Sequence, residues 1–374
     1  MLGDVAANMQ NSVEQPLSVM LKDRRAQLLP LFSQYGLDAL LIESGPNLRY
    51  LTGFSGSKGA ILLTPEEGWF ICDSRYTVQA ADEVPGLVLL ERNQSDEALV
   101  ELQAAKGWQR LGFESVFTSF SVYRKLQERL SPLELIPLEN GLDSLRIRKD
   151  RYELAALEQV AQLASQALQA CLPKLRPGMR ETDFALMLEY EMRLNGAEGR
   201  AFDFIVASGE RGAMPHGRAS EKMLSSGELV TIDFGALCNG YHSDETVTVA
   251  LGSCDERQRD VYEIVRTAHD RAIAAVRPGM TCKALDAVAR EYIAACGYAD
   301  YFGHGLGHGV GLEIHEKPTV SFRSELVLEE GMVLTIEPGI YIPGWGGVRI
   351  EDTVAVTADG CRVLTAVPKQ LLTV

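Results

Sequence analysis

The chain has 374 residues, a formal net charge of −15, 46% hydrophobic and 23% charged residues. That length allows two domains with a sizeable core. The acidic balance argues against a nucleic-acid partner, which needs a basic face, and no run of eighteen apolar residues is present to span a membrane. The seven cysteines are scattered, with no C-x-x-C pair. They read as free thiols of a reducing, cytoplasmic compartment. The first 25 residues show no apolar segment between a basic start and a cleavage site, so no signal peptide is expected.

In chain order, "SVMLKDRRAQLLPLFSQYG" has helical spacing and predicts one helix ending at Gly36. "LDALLIE" predicts a buried strand. "GAILLT" and "GWFICDSRY" predict a hairpin across Pro65 to Gly68. "LVLLE" and "RLGFES" follow as further strands, with helices between. The first third is thus an α/β domain with a mixed sheet, over residues 1–148. Asn140-Gly141 reads as a turn near the junction. A long amphipathic helix then begins near Asp150 and stops at Pro173.

Residues 149–374 contain an internal repeat. "RPGMRETDFALMLEYEM" from Arg176 returns as "RPGMTCKALDAVAREYI" from Arg277. "SGELVTIDFG" from Ser226 matches "EGMVLTIEPG" from Glu330, and "SDETVTVA" from Ser243 matches "IEDTVAVT" from Ile350. Both halves therefore run helix, acid-bearing strand, acid-bearing strand. Two such units predict a pseudo-twofold domain, and the whole chain an α/β (α+β) protein.

The repeat aligns acids with acids: Asp233 with Glu337, and Asp244 with Glu351. All four lie in apolar strand segments. Carboxylates are rarely buried unless paired or on a metal, and four converging on one axis cannot all stay ionised without a cation. A pair of divalent ions resolves this. "HGLGHGVGLEIHE", residues 304–316, places three of the chain's six histidines beside these acids. One imidazole could complete an oxygen-rich site, with the glycines permitting close approach.

These motifs resemble the pita-bread metallopeptidases of the Xaa-Pro aminopeptidase and prolidase type. The resemblance is strong over residues 150–374. "NLRYLTGFSGSKGAILLT" and "CDSRYTVQA" resemble that family's creatinase-like first domain. The resemblance implies two divalent ions, Mn²⁺ first, with Co²⁺ or Zn²⁺ as alternatives, held by Asp233, Asp244, His308, Glu337 and Glu351. In it Asp244 and Glu351 bridge the ions, Asp233 holds one, and His308 and Glu337 the other. By the same resemblance His216, in "MPHGRAS", would contact the scissile nitrogen, Glu337 would be the general base, and His315 would steady the developing oxyanion. His304 lines the pocket after the cut, and Arg349 supports the ligands. Val247 departs from the pattern, standing where many relatives have arginine; it is not a ligand position. His242 and His269 match no catalytic position and read as structural or exposed.

The implied activity is exopeptidase cleavage before proline, on short peptides with proline second, by an aminopeptidase or alternatively a dipeptidase. A homodimer is expected. Methionine aminopeptidase, a metal-free creatinase-like hydrolase and a non-catalytic pita-bread binding module are the weaker alternatives.

Overall fold

The computed structural model describes residues 16–139 and 142–374. Most of the N-terminal stretch read for a signal peptide and the Asn140-Gly141 turn lie outside the described residues. The chain divides into two compact units, residues 1–146 and 147–374.

The first unit is built on strands β1 (Ala39–Ile42), β2 (Ala60–Leu63), β3 (Gly68–Cys72), β4 (Val88–Glu91), β5 (Arg110–Glu114) and β6 (Glu134–Leu138). They form one mixed sheet in the order β4-β3-β2-β1-β5-β6. The β2–β3 hairpin is antiparallel, whereas β1–β5 and β5–β6 are parallel. β1 is buried along its whole length, which is why it reads as an unbroken apolar run. Leu41, Leu62, Trp69, Leu99, Trp108, Leu111 and Leu126 share one core.

The first expected helix is two: Leu17–Ala26 and Leu29–Tyr35. The break falls before Pro30, which has no N–H to give and is tolerated only in a helix's first turn. Gly36 ends the second helix at φ +62°, a left-handed cap. Strand β6 was not anticipated. Its sequence, Glu134 to Leu138, alternates poorly and contains Pro137, admissible here because β6 is an edge strand.

The second unit opens with the helix Arg151–Cys171, capped by a reciprocal Asp150–Glu153 box. Its strands are β7 (Gly199–Arg200), β8 (Ile205–Ser208), β9 (Leu229–Phe234), β10 (Ala236–Cys238), β11 (Tyr241–His242), β12 (Glu245–Ala250), β13 (Gly307–Gly309), β14 (Glu316–Val320), β15 (Val333–Ile336), β16 (Gly339–Ile342), β17 (Gly346–Arg349), β18 (Asp352–Val356) and β19 (Cys361–Val363). The repeated "RPGM" segments lead into the helices Glu181–Leu194 and Cys282–Ala295, both 14 residues long.

The halves repeat their pairing as well: β9 with β12 and β15 with β18, each antiparallel. Their registers differ. Thr246 faces Asp233, but its equivalent Thr353 faces Thr335, two residues before Glu337. An even shift leaves every side chain on its original face. Strand contacts join the halves, with Thr246 bridging Glu351. Val261, Val265, Leu285, Ile293, Leu334, Ile336 and Val354 belong to the core of this unit. All seven cysteines are free. Among the described residues no helix is long and apolar enough to cross a membrane.

Candidate metal centre and active site

Asp233 lies within β9, while Asp244, Glu337 and Glu351 sit at strand ends, next to β12, β15 and β18. Asp233, Asp244 and Glu351 are buried. Ligand atoms of Asp244, His308 and Glu351 lie within 4.8 Å of one another, a spacing suited to one ion. His308 Nε2 is 3.5 Å from Asp244 Oδ2 and also 3.5 Å from Glu337 Oε1.

The protonation of His308 follows from its other nitrogen. Nδ1 is 3.0 Å from the Gly309 carbonyl. A carbonyl only accepts, so Nδ1 carries the hydrogen and Nε2 presents its lone pair to the carboxylates. Burial lowers the His308 pKa. A neutral imidazole so oriented is the form that ligates metal.

The carboxylates show the opposite strain. Burial, then the charges of Glu351, Asp233 and Glu337, push Asp244 well above the usual range. Burial, then Glu337 and Asp233, do the same to Glu351. Burial also raises Glu337, against the pull of His304 and Arg349. Arg349 is the buried cation facing this group. Four ionised acids against one guanidinium leave three negative charges in excess, and each uncompensated buried charge costs several kcal/mol.

Arg349 donates from Nη2 to Asp233 Oδ2 at 2.6 Å. Asp233 Oδ1 is buried with no hydrogen-bond partner. A buried carboxylate oxygen without a donor fits a ligand atom facing its ion. The donor set, four carboxylates and one neutral imidazole, suits hard or borderline divalent cations.

Arg349 also donates to Tyr341 Oη at 3.0 Å and to the Pro215 carbonyl at 3.1 Å. Burial raises the Tyr341 phenol to about 12. Tyr341 Oη is 2.9 Å from His304 Nε2, and His304 Nδ1 is 2.8 Å from the Gly305 carbonyl. By the same logic His304 Nδ1 donates, so Nε2 accepts from Tyr341. His304 is thus committed within a relay from Arg349 and is not a metal ligand.

His216 and His315 are exposed, as groups meeting a substrate must be. The His315 ring stands edge-on to His308, with centroids 4.3 Å apart. Partial desolvation of the ring, then the proximity of His308 and His216, lower its pKa. The structure thus gathers Asp233, Asp244, His308, Glu337, Glu351, Arg349, His304 and His315, with the His216 loop tied in through Pro215.

His242 Nδ1 lies 3.3 Å from the Gly311 carbonyl and braces the histidine-rich loop. His269 is not exposed: it is buried, 3.2 Å from Asp352. The glycines of that loop serve its backbone packing. A Cβ at Gly307 would lie 2.0 Å from the Thr335 carbonyl oxygen, and at Gly309 2.2 Å from that of Lys317.

Further residues, not singled out by the sequence motifs, support the site. Thr246 Oγ1 donates to Glu351 Oε2 at 2.6 Å, and Thr353 Oγ1 to the Asp244 carbonyl at 2.7 Å. These threonines occupy equivalent places in "DETV" and "EDTV", so the repeat that exposed the acids also carried them. Glu181 is wholly buried. It accepts from the Ser208 amide at 2.9 Å and the Ser220 hydroxyl at 2.7 Å, and pairs with Arg211. It thereby closes the loop that carries His216. Nothing in the local sequence distinguishes it from other helix-starting glutamates.

The sequence profile of metallopeptidase family M24 matches residues 155–358, more than half the chain, and that of the creatinase/prolidase N-terminal domain matches 24–148. The chain is 42% identical to a protein from Pyrococcus furiosus named Xaa-Pro dipeptidase, over 94% of this chain and 100% of that one. Its structure is similar to that of an Xaa-Pro dipeptidase from Bacillus anthracis, with TM-score 0.92, 40% identity and coverage of 95% and 100%. It is also similar to an X-Pro aminopeptidase from Thermotoga maritima, with TM-score 0.87, 38% identity and coverage of 91% and 99%. With the buried acid cluster and its neutral histidine, these matches establish that the chain belongs to metallopeptidase family M24 and carries a creatinase/prolidase N-terminal domain.

Proposed function

We propose that the protein is an Xaa-Pro dipeptidase working with two divalent metal ions. The observation that carries the metal requirement is the grouping of Asp244, His308 and Glu351 within 4.8 Å, beside the unpartnered Oδ1 of Asp233. In this reading Asp233, Asp244, His308, Glu337 and Glu351 would hold the ions through their carboxylates and one neutral imidazole. Such ions supply Lewis acidity that polarises a carbonyl and makes water easier to ionise.

The chain's own groups do the rest. Glu337 takes the water's proton on a carboxylate oxygen and returns it to the departing nitrogen. His315, exposed beside His308, donates a hydrogen bond to the oxyanion that develops at the scissile carbonyl. His216 faces the scissile nitrogen. The relay from Arg349 through Tyr341 to His304 fixes the wall behind the proline ring.

The sequence motifs alone favour an aminopeptidase, with a dipeptidase as the alternative. Dipeptidase action is preferred here because the Pyrococcus furiosus and Bacillus anthracis relatives carry that name, while the Thermotoga maritima relative carries the other. Manganese is the proposed metal, supported by the oxygen-rich donor set. A cytoplasmic setting is supported by seven free cysteines. A homodimer is proposed from the family resemblance alone. Comparing hydrolysis of Ala-Pro and Ala-Pro-Ala by Mn²⁺-loaded enzyme tests the assignment. Preferential cleavage of the dipeptide supports it; equal or faster cleavage of the tripeptide returns the protein to the aminopeptidase class.

A further inference from the structure

Successive residues of a strand point to opposite faces. Asp244 and Glu351 face the metal centre. The residues that follow them, Glu245 and Asp352, face away, into the layer behind. They also occupy equivalent positions in the two halves of the repeat. One side chain meets both. Lys369 Nζ lies 2.5 Å from Glu245 Oε1 and 3.1 Å from Asp352 Oδ1. The three side chains are 10%, 1% and 8% exposed.

The rest of the layer converges on the same two acids. Ser165 Oγ, from the helix Arg151–Cys171, donates to Glu245 Oε2 at 2.5 Å, and the Val367 amide donates to Oε1 at 3.0 Å. Thr365 Oγ1 donates to Asp352 Oδ1 at 2.5 Å, and His269 Nε2 lies 3.2 Å from Oδ2. The segment carrying Thr365, Val367 and Lys369 is itself fixed. Leu364 donates to the Thr353 carbonyl, and Leu372 accepts from Ala250. It runs from β18 to β12, across the seam between the halves.

We infer that Lys369 is a positioning residue for the metal centre, clamping Glu245 to Asp352 and so fixing the separation of Asp244 and Glu351. The inference rests on Asp244 and Glu351 being ligands. Each is one peptide unit from a carboxylate held by the same ammonium. A bridged metal pair needs both carboxylates at a set spacing, and neighbours behind the ligands commonly set metal affinity. Without the clamp the two strands remain joined by their own hydrogen bonds, but among the described residues no other charged group ties Glu245 to Asp352.

The test is titration of metal-free protein with Co²⁺, following its visible absorption, for wild type, Lys369→Met, Lys369→Arg and Asp244→Asn. Lys369→Met is expected to bind Co²⁺ on the order of tenfold more weakly and with an altered spectrum. Lys369→Arg should recover most of the affinity, because a guanidinium can span both acids. Lys369→Met strands two buried carboxylates and could fail to fold. The triple variant Glu245→Gln, Lys369→Met, Asp352→Asn removes the charges together, and it too should bind Co²⁺ weakly while folded. Wild-type affinity and spectrum in Lys369→Met, or in the triple variant, overturns the clamp. Asp244→Asn separates the two levels: if it binds Co²⁺ as wild type does, the ligand assignment has failed, not the clamp alone.

Discussion

The Thr246 hydroxyl donates to Glu351 Oε2 across 2.6 Å, tying the first half of the duplicated unit to a carboxylate of the second. Arg349 Nε donates to the same Thr246 oxygen at 3.2 Å. One hydroxyl therefore aligns both a candidate ligand and the cation that holds Asp233. Thr246→Val removes that donor with little change in volume. It should weaken divalent-metal binding on the order of tenfold and lower kcat in step. Competition with a chelating indicator measures this; unchanged affinity would show that Glu351 needs no such support.

His315 should separate binding from chemistry. It is exposed, and no ligand atom of it falls within the metal cluster. His315→Ala is expected to keep its metal while losing roughly 10²-fold in kcat, typical of one lost oxyanion donor. Metal analysis beside steady-state kinetics checks both. Loss of metal in proportion to activity would make His315 a ligand.

Glu181 should act at a distance. Glu181→Gln leaves Arg211 without its ion pair and weakens the hold on Ser208 and Ser220. It is expected to cost ~3 kcal/mol of stability and to lower kcat through the His216 loop, with metal content unchanged. Thermal melting with metal analysis decides this. Full activity in the variant would show that the loop is held elsewhere.

The first unit offers a pH test. Burial pushes the Asp96 carboxyl up, but Lys125 and Arg129 outweigh it and hold it below its ordinary value. Lys125 Nζ and Arg129 Nη1 approach Asp96 Oδ2 to 2.8 and 2.5 Å. A carboxylate with a depressed folded pKa stabilises above its unfolded value, near 4, and stops doing so as pH falls through the folded one. Asp96→Asn should therefore lower the melting temperature at pH 7, and the deficit should shrink below pH 4. A deficit independent of pH would mean that the ion pairs carry none of the effect.

Much of the fold was legible because the sequence repeats itself. Strands β9, β12, β15 and β18 and the two 14-residue helices stand where the paired motifs put them, and the repeat by itself aligns the four acids in two pairs. What escaped has physical causes. Pro30 divided a helix because periodicity cannot register a missing N–H. β6 lacked alternation because an edge strand with a proline need not alternate. Glu181 and Lys369 gain their meaning only from partners 17 to 124 residues away. His269 looked unremarkable because its partner Asp352 is remote in sequence.

Metal stoichiometry tests the acid cluster most directly. Purified wild type, loaded with Mn²⁺ and dialysed, should retain two ions per chain by elemental analysis and lose all peptidase activity when they are chelated. Asp244→Asn and Glu351→Gln should retain at most one ion and show no activity beyond that residue of metal. Two ions retained in either variant, or full activity in metal-free wild type, would contradict the assignment of this site.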